Sequence, residues 1–599
     1  MDRLSLKIVG ASGQGIISVG EILARAFKRS GRCVFGYREY MSLIKGGHGS
    51  YQIDVSNRLI RGSEERVDVL ISLNHHGFEK NVRDLKDGGL IIHDTDRWNF
   101  PPEDTAFLEE RRIRVLYLPV GDILKRLQAK PILSNVVFSA FAWSALGGDI
   151  DLLKALVSEK FKRKKDLLDL NMRAIDEGVA YRKEHAADLE IPLPPSDPQW
   201  EKRLLLTGSN AMGLGLIHGG MRCFVSYPMT PASPLLSYVA EVQNETGVLV
   251  KQAEDEITAA QMMSGAMFAG TRAATATSGG GFDLMTETLS LNGIAENPAV
   301  FILAQRPGPG TGLPTWTAQG DLLLAVNAGH GEFARAVLAV SDAADAFTLM
   351  NNAFNAAEEF QTPVIILTDK HIAEGIFTQE PYPTVAPDIR RGKLVTDPVA
   401  LRALKADDRY DPQAQDGISL RWLPGSEAAV YAGQGDEHRG DGSVDESGEN
   451  ALRQIEKRMK KLQAMRQRLP DPTLFMVRDG KAVPVKQNEN VDLLLIGWGS
   501  TKGAVLDAME EIARSSKPGA HSSVGYLHYT WLWPVKGERF EELQKRARKT
   551  ALVEGNFQGQ LGMLLRQETG IAIQDRILKF DGRPFFREEL LSRISALCS

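Results

Sequence analysis

Cysteine is scarce. The 599 residues contain three, Cys33, Cys223 and Cys598, and no two of them approach a Cys-x-x-Cys spacing. A 4Fe-4S cluster takes four thiolates, so this chain cannot ligate one alone, and no zinc spacing appears either. If electrons pass through the reaction, another chain must carry the iron–sulfur wiring. No metal-ligand set is expected in this chain. Long apolar runs are also missing: none approaches the roughly 20 residues that cross a bilayer, so no membrane association is expected. An excess of one charge is missing too. Lys and Arg number 71 against 76 Asp and Glu, for a net charge of −5, which gives no reason to expect nucleic acid. The opening "MDRLSLKIVGASGQG" has an acid at its second position and runs directly into a strand-and-glycine-turn pattern. That is not a signal-peptide pattern, and the expected location is the cytoplasm.

What the chain does have is a repeated α/β rhythm over a length that one core rarely supports. Residues 1–184 read as one α/β unit. "LSLKIVG" is a short buried strand, "ASGQG" a glycine turn and "IISVGEILARAFKRSG" an amphipathic helix, followed by strand-like "CVFGY", "SYQIDVS", "VDVLISL", "GGLIIHD" and "RVLYLPV". A covered, mostly parallel sheet is expected. Residues 185–201 are a linker, with four prolines in the fifteen positions 185–199. A second α/β unit spans 202–378, an irregular charged segment 379–489, and a third α/β unit, opening on "VDLLLIGWGSTKGAVLDAMEEIAR", 490–599. The irregular segment contains one amphipathic helix, Leu452 to Leu469, with Leu452, Ile455, Met459, Leu462 and Met465 on one face and Lys457, Arg458, Lys460 and Lys461 on the other. The basic face reads as solvated, with a docking helix as the alternative.

Several stretches carry chemistry. "GASGQG" puts glycines at 10, 13 and 15, a GxxGxG order rather than the GxGxxG dinucleotide fingerprint. Gly10, Gly13 and Gly15 are therefore open to three readings: a structural turn, a loop for some anionic ligand, or a dinucleotide site with Glu39 as its acid. His48, alone between glycines, reads as structural. In "SYPMTPASP", prolines at 228, 231 and 234 stiffen the chain around Thr230. The run Glu254, Asp255, Glu256 opens a helix, where carboxylates favour the positive end of the macrodipole. "TATSGGG" ends a strand in three glycines that permit close approach of a ligand or partner. In "AQRPGPGTGLPTWTAQGD", Arg306 ends a strand before a rigid Gly/Pro loop containing Thr311, Thr315 and Thr317. Its forked guanidinium is the best match for a planar carboxylate.

In this order "SYPMTPASP", "EDEITAAQMMSGAMFAGTRAATATSGGGFDLMTE" and "AQRPGPGTGLPTWTAQGDL" closely resemble the α subunits of 2-oxoacid:ferredoxin oxidoreductases. "GASGQGI" and "IKGGHGSYQI" resemble that family's γ domain, here fused ahead of the α domain, and "GQGDEHRGDG" and "VEGNFQGQLGMLLR" resemble later family segments. Nearly the whole chain is covered. The fused layout looks most like the 2-oxoglutarate enzymes. Ser12 and Arg439 depart from the family pattern, which often has glycine and an acid there.

The resemblance implies an α/β multidomain fold. A γ-type domain precedes a pyrimidine-type thiamine diphosphate domain and a transketolase C-terminal-like domain. It implies interconversion of 2-oxoglutarate plus coenzyme A with succinyl-CoA, carbon dioxide and reduced ferredoxin; pyruvate or another 2-oxoacid is the alternative substrate, and a stand-alone transketolase-like transferase the alternative enzyme. It also implies a β subunit that mostly holds the thiamine diphosphate and Mg2+, carries the 4Fe-4S cluster and completes an (αβ)2 assembly. No diphosphate motif stands out in this chain, since "RGDGSVDESGEN" lies in the charged segment. By motif, Glu256 would be the carboxylate on the cofactor's pyrimidine, with Glu254 second. Thr230 would contact the 2-oxoacid, Arg306 would pair with its C1 carboxylate, and Thr315 would line the pocket or touch coenzyme A.

Overall fold

The computed structural model describes residues 2–43, 46–96, 100–161, 165–515 and 523–598. The chain divides into two compact units. One comprises Met1–Leu206, Gly375–Pro381 and Phe586–Ser592; the other comprises Thr207–Glu374, Tyr382–Phe585 and Arg593–Ser599. Among the described residues three sheets form, and no helix is long and apolar enough to cross a membrane.

The first unit contains an eight-stranded sheet. Its order is Arg114–Tyr117, Leu85–His93, Val67–Ser72, Arg3–Ser12, Gly46–Ser56, Cys33–Tyr40, Ile376–Gln379 and Leu204–Thr207. The first four strands are mutually parallel. Beyond them the pairing of Arg3–Ser12 with Gly46–Ser56, of that strand with Cys33–Tyr40, and of Cys33–Tyr40 with Ile376–Gln379 is antiparallel. The sheet is mixed, where a mostly parallel one was expected. The cause is local: residues 41–45 join Cys33–Tyr40 to Gly46–Ser56, and so short a connection can only join antiparallel neighbours. Helix Ile16–Arg29 buries Ile16, Val19, Leu23, Ala26 and Phe27, and ends with Lys28 and Arg29 at the negative pole of its dipole. Phe27 meets Trp143 of helix Ser134–Ala145 edge-on at 5.2 Å.

The second unit contains two sheets. The seven-stranded sheet runs Trp531–Trp533, Ala336–Ala339, Pro363–Asp369, Ala299–Gln305, Ala273–Thr277, Cys223–Ser226, Leu249–Gln252. All are parallel except the edge strand Trp531–Trp533. Ala299–Gln305 and Pro363–Asp369 are buried along their whole length, as continuous apolar strands of a covered parallel sheet must be. Each fully buried Ile, Leu or Val there contributes about 1.5–3 kcal/mol. The six-stranded sheet runs Lys481–Val485, Thr473–Arg478, Val524–Tyr529, Val491–Trp498, Ala547–Glu554, Asp575–Leu578, with an antiparallel hairpin at one edge and the last four strands parallel.

The amphipathic helix of the charged segment is Gly448–Arg468, opened by a Ser447 cap. Its polarity departs from the sequence reading in part: Met465 is buried and Lys460 exposed as expected, but three of the basic residues turn inward. Lys457, Arg458 and Lys461 are 0%, 5% and 2% exposed, whereas Leu452 is 57% exposed. Lys457 and Lys461 both reach the carboxylate of fully buried Glu296, Lys461 at 2.6 Å. Arg458 donates to Glu437 at 3.0 Å. Helical periodicity cannot foresee this, because Glu296 lies 161 residues away from Lys457.

Candidate active site

In open parallel sheets ligands bind beyond the carboxyl ends of the strands. Four strands of the seven-stranded sheet, Leu249–Gln252, Cys223–Ser226, Ala273–Thr277 and Ala299–Gln305, lie side by side and run in one direction. Each delivers one of the chemically distinctive segments at that edge.

The three consecutive acids have three different fates. Glu254 is exposed and accepts from Thr258 Oγ1 at 3.1 Å. Asp255 is the cap of helix Glu256–Phe268, accepting from Thr258 N at 2.7 Å. Glu256 is 4% exposed, and its Oε1 is shielded from solvent with no hydrogen-bond partner. A buried carboxylate oxygen without a partner is costly, so its orientation marks a place where a donor is due. The glycine turn explains how it fits. A Cβ on Gly281 would lie 2.0 Å from Thr277 Oγ1 and 2.7 Å from Glu256 Oε1. Only glycine lets the helix Gly279–Leu284 come this close to the carboxylate.

Beside it, "YPMTP" forms a turn in which Ala232 N donates to Met229 O at 2.8 Å, and Pro234 lies in the first turn of helix Ser233–Glu241, where its missing N–H costs nothing. The Thr230–Pro231 peptide is cis. Arg306 Nη1 donates to Thr230 O at 2.8 Å, so the structure brings these two expected substrate residues together. Burial pulls the guanidinium pKa down, and the neighbouring Asp321 opposes that. Thr315 is 4% exposed. The next residues tie this loop to both sheets of the unit: Thr317 Oγ1 accepts from His371 N, just beyond strand Pro363–Asp369, at 3.2 Å, while on the six-stranded sheet Gln319 Nε2 donates to Trp498 O at 2.8 Å and Gly555 N donates to Gln319 Oε1 at 2.7 Å. The "GWGS" and "VEGN" turns therefore hold the "GLPTWTAQG" loop, and Glu554 in turn accepts from Trp498 Nε1 at 2.9 Å.

Sequence reasoning passed over Asp321 and Gln305. Asp321 N donates to Gln305 Oε1 at 3.0 Å, and Asp321 Oδ2 is shielded without a partner. Both residues stand inside a stretch singled out for Arg306, but nothing local sets them apart from other polar residues of a loop. Only their spatial neighbours distinguish them.

Gly10, Gly13 and Gly15 belong to the first unit. Gly13 and Gly15 have φ of +94° and +92°, and a Cβ on Gly15 would fall 2.0 Å from Asn135 Oδ1, so Gly15 is needed for both reasons. The Gln14 side chain sits across the turn, accepting from Ala11 N at 2.7 Å and Asn74 Nδ2 at 2.6 Å. The dinucleotide reading is not supported. It needs the strand after the helix to lie parallel beside the first strand. Here Gly46–Ser56 intervenes, and Glu39 stands opposite Ser50 in an antiparallel pair. Of the "IKGGHG" motif, Ile44 and Lys45 lie outside the described residues. His48 Nε2 lies 3.1 Å from Asn81 Nδ2, and burial together with Lys7 pulls its imidazole down to about 4.

Comparison with known proteins identifies the family. Residues 214–460 match the family described as pyruvate flavodoxin/ferredoxin oxidoreductase, thiamine diP-bdg, and residues 5–181 match pyruvate ferredoxin/flavodoxin oxidoreductase. The chain is 31% identical to 2-oxoacid:ferredoxin oxidoreductase 2, subunit alpha, of Aeropyrum pernix, over 100% of this chain and 98% of that protein. It is 28% identical to 2-oxoglutarate oxidoreductase subunit KorA of Mycobacterium tuberculosis, over 98% of this chain and 91% of that one. Among solved structures, it is similar to 2-oxoglutarate:ferredoxin oxidoreductase from Magnetococcus marinus, a structure with 2-oxoglutarate, coenzyme A and succinyl-CoA bound. The TM-score is 0.88 at 30% identity, and 100% of both chains is covered. The protein belongs to the 2-oxoacid:ferredoxin oxidoreductase family, as an α subunit.

Proposed function

We propose that this α subunit, together with a β subunit, interconverts 2-oxoglutarate plus coenzyme A with succinyl-CoA, carbon dioxide and reduced ferredoxin. The observation that carries the reading is the shielded, unpartnered Oε1 of Glu256 facing the three-glycine turn. It lies among strand ends that also carry the Thr230–Arg306 pair. The similarity to a 2-oxoglutarate enzyme over the full chain supports the choice of substrate.

The residues fit thiamine diphosphate. Glu256 would hold a proton on the pyrimidine ring through the oxygen that otherwise lacks a donor, with Glu254 as the alternative from its exposed position. When bound, the cofactor supplies a nucleophilic carbon and an electron sink for decarboxylation of a 2-oxoacid. Arg306 would bind the C1 carboxylate as a forked donor. Its bond to the Thr230 carbonyl fixes the guanidinium beforehand, which lowers the entropy lost on binding. The Thr230 hydroxyl would orient the substrate, and Thr315 would line the pocket or meet coenzyme A. Tyr227, Ile257, Leu284 and Leu313 expose large apolar side chains in the segments that carry these residues, which supports a covering partner chain.

The β subunit holds the diphosphate, Mg2+ and the 4Fe-4S cluster in an (αβ)2 assembly, in the cytoplasm. Gly10, Gly13 and Gly15 form an anion-facing loop in the first unit. The domains run 1–184, 202–378 and 490–599, joined by segments 185–201 and 379–489. The test is co-expression with the β subunit and a viologen-reduction assay over a panel of 2-oxoacids with coenzyme A. The expected result is the highest kcat/KM with 2-oxoglutarate. A preference for pyruvate rejects the substrate assignment, and undiminished turnover by the isolated α chain rejects the division of labour.

A further inference from the structure

Asp321 stands at the N-terminal boundary of helix Leu322–Asn327, where an aspartate ordinarily caps the first turn. Its side chain makes no capping hydrogen bond. The backbone is clamped instead. Asp321 N donates to Gln305 Oε1 at 3.0 Å, and Gln305, 1% exposed, donates from Nε2 to Thr368 O at 3.2 Å. That clamp ties Asp321 to the residue immediately before Arg306. Its Oδ2, shielded and unpartnered, faces the Gly279 end of the glycine turn, where a Cβ would lie 3.1 Å away. Glu256 Oε1 faces the Gly281 end of the same turn. Two shielded carboxylate oxygens therefore flank one three-glycine segment, and the proposed reaction uses only one of them.

The charged groups facing Asp321 are Asp283, on the helix Gly279–Leu284, and Arg306, at the end of strand Ala299–Gln305. Burial and then Asp283 push the Asp321 carboxyl up to about 7, and Arg306 opposes them. The group is poised to change charge at neutral pH, beside the guanidinium assigned to substrate.

We propose that Asp321 is a positioning residue that acts through Arg306: neutral, it leaves the guanidinium's charge for the C1 carboxylate of a 2-oxoacid, and ionised, it competes for that charge. This rests on the assignment of Arg306 to the 2-oxoacid carboxylate. An arriving carboxylate favours the neutral form of a neighbouring acid, so binding takes up a proton from solvent at Asp321 while Arg306 stays charged.

The test uses the assembled αβ complex and 2-oxoglutarate. Calorimetric titration in two buffers of different ionisation enthalpy reads proton uptake, and steady-state kinetics from pH 6 to 9 reads KM. In the wild type, uptake should approach about one proton per site above the Asp321 pKa, and KM should rise about tenfold per pH unit there. Asp321→Asn keeps the shape and removes the titration, so uptake should vanish and KM should become flat with pH. Asp283→Asn removes an exposed like charge and should move the bend in KM to lower pH. An Asp321→Asn complex that keeps the wild-type uptake and bend overturns the proposal. Should that variant fail to assemble, Asp283→Asn decides: a shifted bend supports the proposal and an unmoved one overturns it. Arg306→Ala separates the two levels. Unchanged substrate binding in Arg306→Ala defeats the underlying assignment, whereas lost binding there with unchanged uptake in Asp321→Asn defeats only the role of Asp321.

Discussion

Glu256 and Gly281 are packed so closely that one methyl group cannot be added between them. A Cβ on residue 281 would lie 2.7 Å from Glu256 Oε1 and 2.0 Å from Thr277 Oγ1. Gly281→Ala should therefore displace the carboxylate, lowering kcat at least tenfold while the assembled complex still forms. Activity and thermal melting of the complex, measured together, check this. Wild-type kcat in that variant would show that the carboxylate's position does not matter.

Glu256→Gln keeps the volume and removes the acid. General acid–base groups of this kind are worth about 10²–10⁴ in rate, and a loss in that range is expected with cofactor content unchanged. Deuterium exchange at the cofactor's C2 position in the assembled complex is the direct measurement. Exchange at the wild-type rate would reject the assignment of Glu256.

Arg306→Ala should raise KM for the 2-oxoacid far more than it lowers the amount of assembled complex, because a charge-assisted pair contributes about 1.5–3 kcal/mol. Thr230→Val keeps the shape near Arg306 and its backbone contact but loses the hydroxyl. A neutral hydrogen bond to substrate is worth about 0.5–1.5 kcal/mol, so a smaller rise in KM, up to about tenfold, is expected. Equal KM values for Thr230→Val and the wild type would leave Thr230 as a carbonyl support for Arg306 and nothing more.

Glu296 governs stability rather than chemistry. Burial by itself would push its carboxyl up, but Lys457, Lys461 and Arg409 hold it well below the usual range. A carboxyl depressed on folding stabilises the native state above its unfolded pKa and loses that contribution as the pH falls through its folded one. The chain should accordingly lose stability below about pH 4.5. Glu296→Gln leaves two buried ammonium groups without their partner, which costs about 3–5 kcal/mol. Chemical denaturation at pH 7 and pH 4 reads both effects. A variant as stable as wild type at pH 7 would contradict the pairing.

Much of the site was legible from single stretches. Three acids at a helix start, three prolines around Thr230, three glycines after "TATS" and an arginine at a strand end are local patterns with local physical reasons. The family motif pointed to Glu256, but nothing local showed which of the three acids is buried. Glu254, Asp255 and Glu256 are adjacent in the chain, and only packing against Gly281 leaves Glu256 buried while Asp255 caps and Glu254 stays exposed. Asp321 was hidden for the same reason. Nothing in its own stretch marks it, and at the helix start it occupies its side chain makes no capping hydrogen bond.

Cysteine content alone settles that this chain cannot supply the four thiolates of a 4Fe-4S cluster, because it has three. The sequence also determined the α/β character, because alternating apolar runs and glycine turns specify buried strands and crossover helices. The tertiary structure decided three further things: the antiparallel pairs that make the first sheet mixed, the burial of Lys457 and Lys461 against Glu296, and the convergence of Glu256, Arg306 and Asp321 on one edge of the second unit's sheet. The antiparallel pairing of Cys33–Tyr40 with Gly46–Ser56 follows from a short local connection, but the other two depend on contacts between residues far apart in the chain, and no local periodicity encodes which distant charge or glycine a side chain will meet.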